Sequence, residues 1–245
     1  MTGQLLLRGM IAGLIAGLLA FGFARTFGEP SVDRAIAFEE AAAAAAHEAE
    51  EPELVSRQTQ AGLGLFTGMM VYSAAMGGLF SLVFAATFGR AGRLGPRSLA
   101  AVIGLAAFVA LIVVPGLKYP PNPPAVGDPE TIGVRTGLFF VMLIASIVGM
   151  GAAFTLARKL AAQMGAWNAA IVSGLAYVVF IALVCLVLPA INEVPENFPA
   201  LTLYNFRIAS VGIHAVIWSV MSVVFGYMAE KQLSQSGNYR AARFA

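Results

Sequence analysis

Two histidines and one cysteine carry most of the metal chemistry open to this 245-residue chain. His214 and Cys185 each stand in a long apolar stretch. Neutral imidazole is a common ligand for Co, Ni, Cu and Zn. Glu193 follows the Cys185 stretch, and Asp128 and Glu130 stand in a second polar segment. His214, Cys185, Glu193, Asp128 and Glu130 are therefore the candidate ligands of a site that passes a divalent metal. Competing readings exist for each. His214 could make one interhelical hydrogen bond, and the acids could pair with Lys118, Arg135 and Arg207. His47 lies beside Glu48, Glu50 and Glu51, a weak cation-collecting patch or a solvated helix face.

Several chemistries find no residues. One cysteine forms no intramolecular disulfide and no Cys-rich metal site. Two histidines build no His cluster from this chain alone. Walker A, H-E-x-x-H, C-x-x-C and G-x-S-x-G sequences are all missing. No nucleophile–base pair stands out, so no enzymatic activity is expected, and no tightly bound cofactor. No nucleic-acid partner is expected either. Met69, Met70, Met76, Met142 and Met150 read as packing in apolar helices.

The elements that must hold these residues are membrane helices. The chain is 59% hydrophobic and 11% charged, with a mean hydropathy of +0.80. An ordinary soluble domain carries about 25% charge. An all-α, polytopic bundle in lipid is predicted, as a single membrane domain over 1–230 and a tail over 231–245. Six apolar runs stand out, at 5–27, 61–88, 98–117, 137–157, 167–188 and 208–229. Each approaches or exceeds the roughly 20 residues a helix needs to cross the bilayer. The first is long for a signal-peptide core and lacks a clean A-x-A site, so a retained helix is expected.

Sorting charges by connection gives an orientation. Arg8, Arg90, Arg93, Arg97, Arg158, Lys159, Lys231, Arg240 and Arg243 fall on one side with a single acid, Glu230. The other acids fall on the opposite side. The basic side is expected in the cytoplasm, with both termini. Cytoplasmic connections are then short. The outer ones are long, at about 28–60, 118–136 and 189–207, which predicts three helical hairpins. Arg57, Arg135 and Arg207 precede the three returning helices. An outer arginine at each return runs against the charge bias and predicts a specific partner: a loop carboxylate in a structural ion pair, or a role in gating an outer vestibule.

The outer connections differ in kind. Ala41–Ala46 is flanked by acids and preceded by Pro30, which predicts a solvated or interfacial helix over about 31–53. The other two are rich in proline and predict rigid turns or polyproline II segments. They either present Asp128, Glu130, Asn122, Asn192 and Glu193 as fixed oxygens or form a structural lid. Gly9, Gly13 and Gly17 recur every four residues in the first run, and Gly64 and Gly68 do so in the second. Small residues at this spacing predict close helix packing.

Lys118-Tyr-Pro-Pro-Asn-Pro-Pro124, Gly127-Asp-Pro-Glu-Thr131 and Arg135-Thr136 are followed by Leu188-Pro189, Asn192-Glu-Val-Pro195, Phe198-Pro199 and Phe206-Arg207. On these strings the chain resembles the CbtA family, predicted cobalt transporter subunits of bacteria. The resemblance extends over about 4–230 and is weakest at 35–50. It implies a multi-pass protein of the bacterial inner membrane that imports Co²⁺ for cobalamin synthesis. It also implies a small single-span partner, CbtB, with a histidine-rich end. Such a partner would supply imidazoles this chain lacks. The family implies no ligand residues here.

Two functions compete. One is a permease subunit for cobalt or a similar divalent ion. The other is a structural or assembly subunit of a larger membrane complex, with the glycine faces and rigid loops as docking surfaces. A homo-oligomer is compatible with either. A membrane enzyme or an organic-solute carrier finds room in the chain but no residues.

Overall fold

Apolar runs rich in Ala, Leu and Val and poor in internal proline favour helix, because lipid offers no partner to an unsatisfied peptide group. A computed structural model of the chain describes residues 2–47, 54–90, 92 and 94–235. Among the described residues the structure is all helical and contains no strand. The helices are α1 (Thr2–Phe23), α2 (Glu29–Ala46), α3 (Arg57–Thr59), α4 (Leu65–Thr87), α5 (Pro96–Phe108), α6 (Val114–Lys118), α7 (Ile132–Val187) and α8 (Ala200–Gln235). Wider π turns join α1 to α2, α3 to α4 and α5 to α6. Five continuous helical stretches are long and apolar enough to cross a membrane: Thr2–Ala46, Arg57–Thr87, Pro96–Lys118, Pro129–Val187 and Ala200–Gln235.

This differs from the six separate runs read in the sequence, because the fourth and fifth are carried by one element. No proline separates them, and helix continues through Arg158 and Lys159 up to the break. Gly165 makes that break, with φ 80° and ψ 160°. That backbone region is open essentially to glycine. The first connection also differs in detail. The predicted helix after Pro30 is present as α2, but it follows α1 through a π turn with no intervening loop, and it ends at His47 in the left-handed conformation. Glu48, Glu50, Glu51 and Glu53 lie outside the described residues, as do Arg93, Arg240 and Arg243.

Two compact units divide the chain. One comprises residues 1–108 with 200–245, and the other residues 109–199. In the first, α1 lies directly on α4. A β-carbon built at Gly9 would stand 2.2 Å from the Gly77 carbonyl oxygen, and one at Gly13 would stand 2.0 Å from that of Ser73. One at Gly77 would meet the Gly9 carbonyl oxygen at 2.1 Å. In lipid no hydrophobic effect drives helices together, so association depends on backbones approaching this closely. The face of α4 that receives α1 runs through Met69, Ser73, Gly77 and Ser81. Gly64 sits in the π turn, and a β-carbon at Gly68 would meet nothing within 4 Å.

The same unit packs α4 and α5 on α8. The Phe225 ring stands 5.3 Å from that of Phe80 and 5.0 Å from that of Phe84, both edge to face. Gly104 on α5 makes room for the Ser222 hydroxyl. Polar contacts gather at one end of these helices. Arg97 pairs with Glu230 at 2.6 Å, Arg8 donates to the Met228 carbonyl at 2.8 Å, and Gln232 donates to Gln4 at 2.9 Å. At the other end of α4, Arg57 donates Nε to Asp33 at 3.0 Å and also pairs with Glu29, which ties α3 to α2. Its predicted carboxylate partners are thus on the helix that follows α1.

In the second unit α7 is folded back on itself at Gly165. The Ser146 and Tyr177 hydroxyls, on opposite sides of the break, are 2.7 Å apart and buried. A β-carbon at Gly149 would strike the Phe180 ring at 2.7 Å. Met142, Tyr177 and Ile181 then form a small core with Val114. Gly165→Ala is expected to cost about 1–3 kcal/mol, the usual cost of forcing a side chain into such a backbone region. Thermal unfolding in detergent reads the loss. An alanine variant as stable as the parent would show that the reversal does not need this conformation.

Candidate functional site

The two Pro-rich segments meet in a polar clamp. Asp128 accepts the Glu130 N–H through Oδ1 at 2.9 Å and so caps the single 3₁₀ turn Pro129–Thr131. Proline suits the first position of that turn because no amide is needed there. The Asp128 N–H donates to Glu193 Oε2 at 2.7 Å, and the Thr131 hydroxyl donates to Glu193 Oε1 at 2.7 Å. Arg135 Nε lies 3.2 Å from Glu193 Oε2, in ion-pair contact without hydrogen-bond alignment. Its Nη2 donates to the Asp128 carbonyl at 2.9 Å.

Gly127 explains its own place in the motif. Its φ is 124°, and a β-carbon there would stand 2.2 Å from Arg135 Nη1. The guanidinium occupies the space a side chain would take. A second tie lies close by in sequence. Lys118 donates to the Cys185 carbonyl at 2.8 Å, and the Tyr119 hydroxyl donates to the Pro189 carbonyl at 2.9 Å. The proline-dense strings therefore hold one another through backbone and side-chain bonds.

This geometry occupies part of the oxygen set that the sequence offered to a metal, namely Glu193 and one oxygen of Asp128. Both oxygens of Glu193 carry donors. Its carboxyl is held below the ordinary carboxylate range, chiefly by the Asp128 N–H, then by the Thr131 hydroxyl, with Arg135 adding to the effect and partial burial opposing it. Glu130 is exposed. Cys185 is half-buried and packs on the Val114–Met142–Tyr177–Ile181 core. Those four candidate ligands belong to the second unit, and His214 belongs to the first. Among the described residues no three His, Cys, Asp or Glu side chains gather to hold an ion. Arg207 lies on α8, half-buried and engaged with neighbouring atoms.

His214 has a different setting. It lines a pocket of about 380 Å³ between α4 and α8, with Leu65, Gly68, Met69 and Tyr72 on one wall and Ser210, Ile213 and Ile217 beside it on the other. Both sets recur at i, i+3, i+4 and i+7, so each is one helix face. The Tyr72 ring stands 5.9 Å from the imidazole, edge to face. Nδ1 is enclosed and has no hydrogen-bond partner. With Nδ1 enclosed, Nε2 is the nitrogen left to a ligand. Among the described residues, Nδ1 does not make the interhelical hydrogen bond that the sequence left open to His214. Spacing alone could have paired these two faces only if the neighbour of α8 were known beforehand.

The family model described as "Probable cobalt transporter subunit (CbtA)" matches residues 2–230. No curated protein and no solved structure matches the chain. The family match takes in the helices, both Pro-rich segments and the pocket around His214, and it makes this chain a member of the CbtA family, that of a multi-pass membrane subunit in cobalt transport.

Proposed function

We propose that this chain is the permease subunit of a Co²⁺ uptake system, with His214 on the path of the ion. The observation that carries the reading is the imidazole itself. An ionisable side chain within a membrane helix is costly and usually faces a cavity that uses it. Here it lines a pocket, and its enclosed Nδ1 has no hydrogen-bond partner among the described residues. The other walls carry no carboxylate, so His214 supplies one position of a divalent ion's shell and the rest fall to water or a second chain. A small single-span, histidine-rich subunit of the CbtB kind fits that need. The break at Gly165 supports six crossings, because each half of α7 is long enough to span. The excess of basic residues supports an inner-membrane orientation with both termini in the cytoplasm. The imported cobalt would serve cobalamin synthesis.

The alternative is an assembly subunit that transports nothing itself. Two features favour it: the internal bonding of Glu193, and the lack of acids around His214. Cobalt uptake by cells expressing the chain, with and without a His-rich single-span partner, separates the two. Uptake is expected with the partner, and His214→Ala should return it to background, a loss of tenfold or more, with membrane insertion unchanged. Absence of metal-dependent uptake in both cases, at normal expression, would leave the assembly reading in its place.

A further inference from the structure

Most of the close-packed glycines in this chain are accounted for by what they touch, and Gly68 is not one of them. Gly9, Gly13 and Gly77 admit a neighbouring backbone, Gly104 admits the Ser222 hydroxyl, and Gly127 and Gly165 hold positive φ. Gly68 stands inside α4, where glycine costs about 1 kcal/mol relative to alanine in a soluble helix. Its backbone is ordinary helix, and a β-carbon built there would find nothing within 4 Å. Among glycines with such open surroundings, it is the one that lines the His214 pocket.

We infer that Gly68 keeps this pocket open, so that side-chain size at position 68 sets how large a ligand reaches His214 Nε2. The lining explains why one position can do this. Leu65, Met69 and Tyr72 share the face of α4 with Gly68, and Ile213 and Ile217 close the opposite wall. All five are bulky, so position 68 is where the lining is smallest. Gly68 is exposed and a β-carbon there meets nothing within 4 Å, so a leucine has room to grow at the edge of this cavity of about 380 Å³. The ligand class follows from the lining, which is a small species able to coordinate or hydrogen-bond imidazole. The inference rests on the pocket reading above only for its transport meaning; access to the nitrogen can be measured alone.

Diethyl pyrocarbonate acylates an accessible, unprotonated imidazole nitrogen, and the chain holds only two histidines. His47 ends α2 in an exposed position and serves as the internal control. In the full-length chain, peptide mass analysis should find both histidines modified. Gly68→Ala should slow modification of His214 modestly, and Gly68→Leu should slow it at least tenfold. The rate at His47 and the thermal midpoint should stay unchanged. An unchanged His214 rate in Gly68→Leu, or a wild-type His214 that does not react while His47 does, would overturn the inference. A slowed His214 reaction with undiminished cobalt uptake would uphold the role of Gly68 and instead remove His214 from the ion's path.

Discussion

Gly13→Leu is expected to leave no stably folded chain in detergent, and Gly13→Ala to lower stability by about 3 kcal/mol or more, the upper end of what overpacking usually costs. The reason is the partner. A β-carbon at this position would lie 2.0 Å from the Ser73 carbonyl oxygen. That oxygen belongs to backbone, and it cannot swing aside as the end of a flexible side chain can. Helices α1 and α4 would have to separate along the whole face that includes Gly9, Gly13 and Gly77. Separation forfeits the dispersion attraction between the two helices, and lipid tails fill the gap without the gain that burial from water would bring. Gly68→Ala is the matched control, because its new methyl meets nothing within 4 Å. Thermal unfolding of the three variants in one detergent tests this, and equal midpoints for Gly13→Ala and the parent would refute the close-approach account.

The second large effect is expected at the clamp between the Pro-rich segments. Glu193→Gln should lower the stability of these segments and remove a pH dependence that the parent shows in acid. In the folded chain the carboxyl lies below its ordinary value of 4.5, owing first to the Asp128 N–H and next to the Thr131 hydroxyl. The unfolded chain therefore binds this proton at higher pH than the folded chain. Stability is fully present above about 4.5 and is lost as pH falls through the lower folded value. Glutamine keeps an acceptor for one donor but offers an NH₂ where the other donor points, and it drops the attraction to Arg135. Hydrogen exchange at the Asp128 amide, followed from neutral to acid pH, reads this directly. Protection should be lost in the parent below the carboxylate range and be weak at every pH in Glu193→Gln. A pH-independent parent would remove Glu193 from the role of clamp.

Helical class, lipid as solvent and the positions of most helices were legible in composition and run length, because each helix in a bilayer must satisfy its own backbone along about 20 apolar residues. The Gly9-x-x-x-Gly13-x-x-x-Gly17 spacing likewise marked a face of α1 without naming what would meet it. The face it meets was not legible. Ser73, Gly77 and Ser81 repeat the same four-residue spacing of small residues, but Gly64 with Gly68 carries two glycines at that spacing and so gives the stronger signal. Arg57 and Arg135 required partners already in the sequence, since each was a charge on the unfavoured side. Only the fold chose Glu29 with Asp33, on α2, for the first and Glu193 for the second. The hairpin at Gly165 was present as two apolar runs, yet only the fold showed the positive φ that turns one helix into two and the Ser146–Tyr177 contact across it.

The candidate site divides in the same way. Sequence alone singled out His214, because an imidazole among apolar residues is rare and costly. It could not show that Nδ1 is enclosed without a partner among the described residues, that His214 lines a pocket, or that Glu193 has both oxygens engaged elsewhere. Those facts depend on which faces of distant segments come together. Local composition determines that a segment enters the membrane as a helix. Rotation of that helix about its axis, and hence which side chains share a cavity, is decided by close packing between residues far apart in the chain.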